Sequence, residues 1–220
     1  ILFHLILNSF AVLISIYLSL KYNSFLFVFI HLASMNLLWF YSIYLKRKII
    51  IGNLTLAFLG SCIPLLAVWF FRIANESTKT FSSYDPETWT THLDYSFIYF
   101  LSICTFLQFL AHEILKDINE INGDKIIHVY SLPMKYGVNT SSWVAMILLQ
   151  IPLFIALILF GFSYIDLTNF ALIILIFAGL INLFIFVYSG FIKDLDYKII
   201  SILLKISLIL PFISLFFNSK

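Results

Sequence analysis

The sequence predicts an all-α integral membrane protein, a polytopic bundle of transmembrane helices. Of its 220 residues, 62% are hydrophobic and only 11% are charged, and the mean hydropathy is +1.02. Soluble domains carry about 25% charged residues. The apolar residues form long blocks of Ile, Leu and Phe, whereas a membrane β-barrel shows short segments of alternating polarity. A helix bundle therefore fits the chain best.

Seven apolar runs are long enough to cross a hydrocarbon core of roughly 30 Å, which takes about 20 helical residues. In chain order they cover residues 1–20, 24–45, 49–71, 94–115, 140–161, 167–189 and 199–217. Pro64, Pro152 and Pro211 lie inside three of these runs, where membrane helices tolerate proline. Gly52 and Gly60 lie near one face of the third run, so close packing against a neighbouring helix is expected there.

Residues with interfacial or capping preferences lie at the ends of several runs. Trp39, Trp69 and Trp143 lie near predicted span ends, as interfacial aromatic residues do. Ahead of the fourth run, residues 85–87 read Asp-Pro-Glu, which is typical of a helix N-cap followed by proline in the first turn. The fourth helix is therefore expected to begin well before the membrane.

Lysine and arginine in the connections predict the orientation in the cell membrane. With the N-terminus inside, 8 of them fall on the cytoplasmic side and 4 outside. The cytoplasmic group is Lys46, Arg47, Lys48, Lys116, Lys125, Lys135, Lys193 and Lys198. Lys205 lies inside the last run and receives no function.

Two classes of partner or site are disfavoured by composition. The net charge of +2, without a basic cluster on a soluble face, argues against a nucleic-acid partner. Cys62 and Cys104 lie inside predicted spans without the spacing of a metal site, so both are interpreted as small buried apolar residues.

An acidic stripe follows the fourth run. Relative to Asp117, the carboxylates of Glu113, Glu120 and Asp124 fall at −4, +3 and +7, which places all four on one face of a continuing helix. Each such pair of like charges costs roughly 0.2 to 0.5 kcal/mol on an isolated helix, so a cation is expected to neutralise the stripe. Oxygen ligands alone indicate Mg²⁺ or a similar hard ion.

A plainer interpretation of the stripe also stands. Charges at a membrane helix end are often a solvated loop, and the interspersed Lys116, Lys125 and Lys135 can offset the acids. Gly123 can end the helix before Asp124 is reached. His112 points roughly 100° away from Glu113 on a helix and is interpreted as an interfacial residue.

Two segments resemble a known family. Lys116, Asp117, Glu120, Gly123 and Asp124, followed by Ser131, Leu132, Pro133 and Gly137, resemble the second acidic motif of UbiA-type intramembrane prenyltransferases, KDxx(D/E)xxGD and then (T/S)LPxxxG. Tyr41, Ser42, Leu45, Lys46, Arg47, Gly52 and Asn53 resemble that family's YSxxLKRxxxxGN segment. The subgroup that the chain resembles most is the geranylgeranylglycerol-phosphate geranylgeranyltransferases.

The resemblance implies a truncated protein. Members of this family have nine transmembrane helices and a first acidic motif, NDxxDxxxD, that nothing in this sequence matches. Ile1 already lies inside an apolar run. Residues 1–220 are therefore expected to be a single membrane domain, the C-terminal portion of a prenyltransferase, with seven of nine helices and without the first two. Such a fragment is expected to be inactive alone.

The resemblance also assigns site residues, although it makes none a certain catalytic residue. Asp117, Glu120 and Asp124 would bind Mg²⁺ that bridges a prenyl diphosphate. Lys46, Arg47, Lys116 and Lys125 would contact the diphosphate. Tyr41, Asn53 and Glu113 are expected to line the pocket, with Phe106 and Phe109, whose ring faces can stabilise positive charge. His128 and Tyr130 depart from the family pattern, which has Gly and a basic residue at these positions.

The implied function is Mg²⁺-assisted transfer of a prenyl group, from geranylgeranyl diphosphate by the resemblance, to a lipid or aromatic acceptor at the cytoplasmic membrane face. A polytopic transporter and a noncatalytic prenyltransferase remnant are the alternatives. Transporters place ionisable residues near the bilayer midplane, whereas the acids here cluster at a helix end. This placement favours the enzyme.

Overall fold

A computed structural model describes residues 2–79, 95–126, 130–161, 169–191 and 197–217, and every regular element within these ranges is helical. The eight α-helices are α1 Leu2–Lys21, α2 Leu26–Ile43, α3 Ile51–Lys79, α4 Tyr95–Ile126, α5 Leu132–Tyr136, α6 Val138–Gly161, α7 Asn169–Phe191 and α8 Tyr197–Phe217. A 3₁₀ turn, Leu45–Arg47, joins α2 to α3. The helix start expected at residues 85–87 lies outside the described residues.

The long helices coincide with the predicted membrane spans. Five described stretches are long and apolar enough to cross a membrane: Leu26–Ile43, Ile51–Phe70, Phe97–Gly123, Val138–Leu159 and Phe170–Tyr188. The apolar stretches described in α1 and α8, Leu5–Lys21 and Ile199–Ser214, are shorter. The prediction of a polytopic helical membrane bundle is confirmed, with five of the seven predicted spans at full length in the described residues.

Helix α4 is the centre of the bundle. It packs against α3, α5, α6 and α8, while α7 packs between α6 and α8. Among the described helices, α1 packs only against α2. Gly60 of α3 allows one of these contacts, because a Cβ atom there would lie 2.5 Å from the ring of Phe109 on α4. The close helix packing expected at Gly60 is therefore confirmed.

A hydrophobic core holds the acidic half of α4 in place. From α4, Ala111, Ile114, Leu115 and Ile118 are all buried. Their partners are Leu132 of α5, Ala145, Met146 and Leu149 of α6, Ile185 of α7, and Ile200 and Leu204 of α8. The face of α4 that carries the acids therefore has a fixed orientation relative to four other helices.

A chain of buried polar side chains ties α4 to α6, α7 and α8. Gln108 Nε2 donates to Ser207 Oγ at 3.1 Å, and the Ser207 hydroxyl donates to Asn182 Oδ1 at 2.6 Å. Asn182 Nδ2 donates to the carbonyl of Leu149 at 3.4 Å, and Gln150 Nε2 donates to the carbonyl of Asn182 at 3.0 Å. In a membrane such interhelical bonds contribute about 0.6 to 2 kcal/mol each.

Replacing Asn182 with Leu is expected to destabilise the bundle by about 1 to 2 kcal/mol, because the Ser207 hydroxyl loses its acceptor and the Leu149 carbonyl loses its side-chain donor. The measurement is thermal unfolding of the purified protein in detergent. Asn36→Leu is the matched control, because Asn36 is exposed and its Nδ2 bonds only to the carbonyl of Leu32 in its own helix. Equal unfolding temperatures for the two variants would contradict the network's role.

Candidate active site

Helix α4 carries the acidic stripe without interruption. It continues to Ile126, so Gly123 does not end it. Exposure increases along the stripe: Glu113 is buried at 8% exposure, Asp117 is half-buried and Glu120 is exposed. The helical backbone includes positions 124 and 125, but the side chains of Asp124 and Lys125 lie outside the described part of the chain, so their assigned roles stay predictions.

Asp117 is held by a residue from the first turn of α3. Asn53 Nδ2 donates a hydrogen bond of 2.8 Å to Asp117 Oδ2, and the two residues are 64 positions apart in sequence. Asn53 itself is only 9% exposed. A buried amide donor that orients a carboxylate is a common arrangement around metal ligands. The structure thus joins the two segments that carry the family resemblance.

The basic turn lies against the same first turn of α3. A Cβ atom at Gly52 would lie 3.0 Å from the carbonyl oxygen of Leu45 and 3.3 Å from Cα of Lys46, so the backbones are in close contact there. Gly52 directly precedes Asn53, which contacts the stripe. Lys46 is half-buried and Arg47 is exposed. The fold therefore brings this turn to the end of the bundle that carries the acids.

Tyr41 of α2 lies within electrostatic reach of the stripe. Its hydroxyl interacts with the charges of Glu113, Asp117, Glu120 and Lys116. The side chain is half-buried. Helices α2, α3 and α4 therefore converge on one polar region, where Asn53 contacts Asp117 and Tyr41 lies within electrostatic range of the carboxylates.

Glu113 is compensated within its own helix. Lys116 Nζ donates to Glu113 Oε2 at 3.2 Å, and His112 Nδ1 lies 3.7 Å from Glu113 Oε1. The buried carboxylate therefore has two nitrogen partners before any ligand binds. Lys116, assigned to the diphosphate, is also the partner of Glu113.

A cavity of about 380 Å³ lies between the acidic half of α4 and the first half of α8. From α4 it is lined by His112, Glu113, Leu115, Lys116, Asn119 and Glu120, and from α8 by Ile200, Ser201, Leu204 and Lys205. His112, which was expected to be interfacial, lines this cavity beside Glu113, and its interfacial position stays a prediction. No sequence motif relates the α8 residues to α4. The one available indication was Lys205, because an ionisable residue inside an apolar run often marks a functional site.

Two aromatic residues assigned to the pocket lie elsewhere on α4. Phe109 packs against Gly60 of α3, and Phe106 is half-buried. Neither lines the cavity beside α8. Their assignment to a prenyl-binding surface stays a prediction.

The Ser-Leu-Pro segment forms the single-turn helix α5. Ser131, Leu132 and Pro133 are buried beneath the acidic end of the bundle, and Gly137 has φ +88°, which favours glycine at the junction with α6. Tyr130 is 64% exposed, and His128 lies outside the described residues. This motif therefore has a structural role, closing the connection between α4 and α6.

The acidic side chains fit a magnesium site that substrate phosphates and waters complete better than a site formed by protein ligands alone. Among the described side chains, no three of His, Cys, Asp and Glu are placed to coordinate one metal ion. Mg²⁺, however, is usually held by one or two carboxylates together with substrate phosphates and waters. Asp117 and Glu120, one turn apart on one face of α4, supply that number of oxygen ligands.

Comparisons with known proteins agree with this architecture. The model of the UbiA prenyltransferase family matches residues 2–209. Digeranylgeranylglyceryl phosphate synthase of Methanosphaera stadtmanae is 29% identical over 180 residues, which are 79% of this chain and 56% of the relative. The enzyme of the same name from Thermococcus sibiricus is 29% identical over 131 residues, which are 58% of this chain and 37% of the relative.

The chain thus spans about half the length of the first of these relatives and less of the second. No solved structure matches it. The family match extends over almost the whole sequence and includes both segments that meet at Asn53 and Asp117. The chain belongs to the UbiA prenyltransferase family.

Proposed function

We propose that the full-length protein transfers a prenyl group from a prenyl diphosphate to a lipid acceptor, with geranylgeranyl diphosphate as donor and a glycerol phosphate ether lipid as acceptor. The names of the two relatives support this choice of donor and acceptor. The observation that carries the proposal is the 2.8 Å bond between Asn53 and Asp117, because it joins the acidic stripe to the first turn of α3, against which the basic turn packs.

The chemistry requires neutralisation of a leaving group. Cleaving the allylic carbon–oxygen bond leaves a multiply charged diphosphate and an allylic cation. Bound Mg²⁺ would stabilise the charge on the leaving oxygens. Asp117, Glu120 and Asp124 would hold that ion, and the hydrogen bond from Asn53 would keep Asp117 oriented for it. Lys46, Arg47, Lys116 and Lys125 would bind phosphate oxygens, which favours departure of the diphosphate.

The surrounding bundle suits the other product of ionisation. An allylic cation reacts with water, so the allylic carbons of the prenyl group must lie in a region from which water is excluded. Below the acidic end, α4 is buried among apolar side chains of its neighbours. Ring faces of Phe106, Phe109 and Tyr41 would stabilise positive charge there. The isoprenoid chain would extend along the apolar helices.

The site is proposed to face the cytoplasm. The protein is a multi-pass membrane protein, and the lysines and arginines are divided 8 to 4 in favour of the side that carries the stripe. Residues 1–220 would form a single membrane domain in the full-length enzyme. The family match favours a prenyltransferase over a transporter.

The test is an assay of membranes that contain the full-length protein with labelled geranylgeranyl diphosphate. Geranylgeranylglyceryl phosphate and an aromatic quinone precursor serve as alternative acceptors, each with Mg²⁺ and with EDTA. We expect a labelled lipid product with the glycerol phosphate acceptor that disappears in EDTA. Absence of metal-dependent diphosphate release with either acceptor would favour the noncatalytic remnant instead.

A further inference from the structure

Lys205 places an ammonium group within an otherwise apolar helix. The stretch Ile199–Ser214 of α8 is apolar, and Lys205 is its only charged residue. A charged side chain inside a membrane helix is costly, so it usually faces a polar cavity and serves a function. Lys205 lines the cavity between α4 and α8.

The charges around this cavity leave Lys205 without a counterion. Glu113 is paired with Lys116 at 3.2 Å and approached by His112 at 3.7 Å. Lys205 forms no hydrogen bond or ion pair with another described residue. Glu120 is an exposed carboxylate at the outer end of the same wall. Lys116 is thus shared between Glu113 and the donor diphosphate assigned to it, whereas Lys205, whose side chain is exposed, is a cation of this cavity that none of the described side chains neutralises.

The volume of the cavity is sufficient for a lipid head group. Gln108 of α4 and Ser207 of α8 are hydrogen-bonded at 3.1 Å. The cavity lies toward Glu120 on α4 and toward Ile200 on α8, so residue numbers increase along one helix and decrease along the other. The two helices therefore run antiparallel. Because side chains lean toward the N-terminus of their helix, Lys205 leans toward the Glu120 end. The volume of about 380 Å³ is within the range of small-ligand pockets.

The lining combines charged, polar and apolar side chains. Asn119 and Ser201 add uncharged hydrogen-bonding groups to the cations and to the carboxylates of Glu113 and Glu120, and Leu115, Ile200 and Leu204 add apolar surface. A phosphorylated glycerol lipid likewise has a polar head and an apolar chain. The bond from Asn53 places Asp117 toward α3, whereas Lys205 approaches α4 from α8. Lys116 and Glu120, which are assigned to the donor, line this cavity as well, so the acceptor phosphate would lie beside the donor diphosphate, with Lys205 on the α8 side of the cavity.

We propose that Lys205 binds the phosphate of the acceptor lipid in the cavity between α4 and α8 and so selects a phosphorylated acceptor. This rests on the proposed function, because the donor diphosphate is assigned to Asp117, Glu120 and the basic turn. Lys205 is then a residue that determines acceptor specificity, whereas none of the residues assigned to the donor belongs to α8.

The experiment compares the full-length protein with its Lys205→Met and Lys205→Arg variants in phosphatidylcholine vesicles. The acceptors are geranylgeranylglyceryl phosphate and the same lipid without phosphate. We expect Lys205→Met to raise KM for the phosphorylated acceptor roughly tenfold to a hundredfold, as loss of one charged hydrogen bond does. KM for the donor should change less than about twofold, and arginine, with the same charge, should restore most of the affinity.

Binding measured without turnover separates this proposal from the proposed function. Native mass spectrometry reports retention of each acceptor by the wild type, by Lys205→Met and by a control, Lys21→Met, whose ammonium lies over the rings of Tyr17 and Tyr22 far along the chain. Retention of the phosphorylated lipid that depends on Lys205 supports the site even if the wild type shows no turnover. Equal retention and equal KM in wild type and Lys205→Met would overturn it.

A competition experiment distinguishes a site for the acceptor from a site for phospholipids of the surrounding membrane. Phosphatidylglycerol added to the vesicles supplies phosphate diesters, whereas the acceptor carries a monoester with more charge. We expect a tenfold excess of phosphatidylglycerol to displace little of the phosphorylated acceptor. Displacement that is as effective as with the acceptor itself would overturn the proposal and assign Lys205 to the surrounding lipid.

Discussion

Replacement of Asp117 by Asn is expected to abolish prenyl transfer while the helix bundle stays intact. The substitution removes the charge that would hold Mg²⁺ against the diphosphate, but the new side-chain oxygen can still accept the hydrogen bond from Asn53. We expect kcat/KM to fall by more than roughly a hundredfold, because loss of a single outer partner of a metal ligand already costs about 10- to 100-fold. The measurement is Mg²⁺-dependent release of diphosphate from labelled donor.

Asn53→Ala is a second variant, for which a smaller loss of activity is expected than for Asp117→Asn. It leaves the Asp117 charge in place and removes only the donor at 2.8 Å, so we expect a smaller loss and a higher Mg²⁺ concentration for half-maximal rate. Size-exclusion profiles and unfolding temperatures of both variants verify that they are folded. Near-wild-type turnover by Asp117→Asn would be incompatible with a metal-binding role for the stripe.

The helices and the acidic stripe could be predicted because both are local properties of the sequence. The apolar runs determine where helices cross the membrane, and the 3.6-residue period places Glu113, Asp117 and Glu120 on one face. The predicted fourth run ended at residue 115, whereas α4 continues to Ile126. Leu115 and Ile118 belong to the hydrophobic core that α4 shares with α5, α6, α7 and α8, so tertiary packing continues to the turn that carries Asp117.

Contacts between distant helices could not be predicted in the same way. The cavity beside α4 depends on Ser201 and Lys205 of α8, and no spacing rule relates the two helices. The bond between Asn53 and Asp117 was similarly inaccessible from periodicity, although the family resemblance placed both residues near the site. The approach of His112 to Glu113 was also not predicted, because an angle on a helical wheel describes the direction of Cα, whereas Nδ1 of the ring lies 3.7 Å from Oε1 of Glu113.

The basic turn provides the second large effect. Lys46→Ala combined with Arg47→Ala is expected to lower kcat/KM for the prenyl diphosphate by roughly a hundredfold or more, mainly through a higher KM for the donor. A hydrogen bond between a cation and a charged partner contributes about 1.5 to 3 kcal/mol, and about 1.4 kcal/mol corresponds to a factor of ten. Since Lys46 is half-buried and Arg47 is exposed, we expect Lys46→Ala alone to cause the larger loss.

Lys48→Ala is the matched control for this double variant. Lys48 follows Arg47 directly, but its ammonium lies 4.6 Å from the centre of the Tyr44 ring, so it is directed to an aromatic face. All three substitutions remove positive charge from the same membrane surface, and a general attraction of the anionic donor to that surface would make their effects similar. A decrease in kcat/KM that is confined to the Lys46 and Arg47 variants would indicate direct contacts with the diphosphate. Added salt should then reduce the effect of the Arg47 substitution more than that of the Lys46 substitution, because Arg47 is exposed. Equal KM increases for Lys48→Ala and for the other two single variants would show instead that the turn acts only through its overall charge.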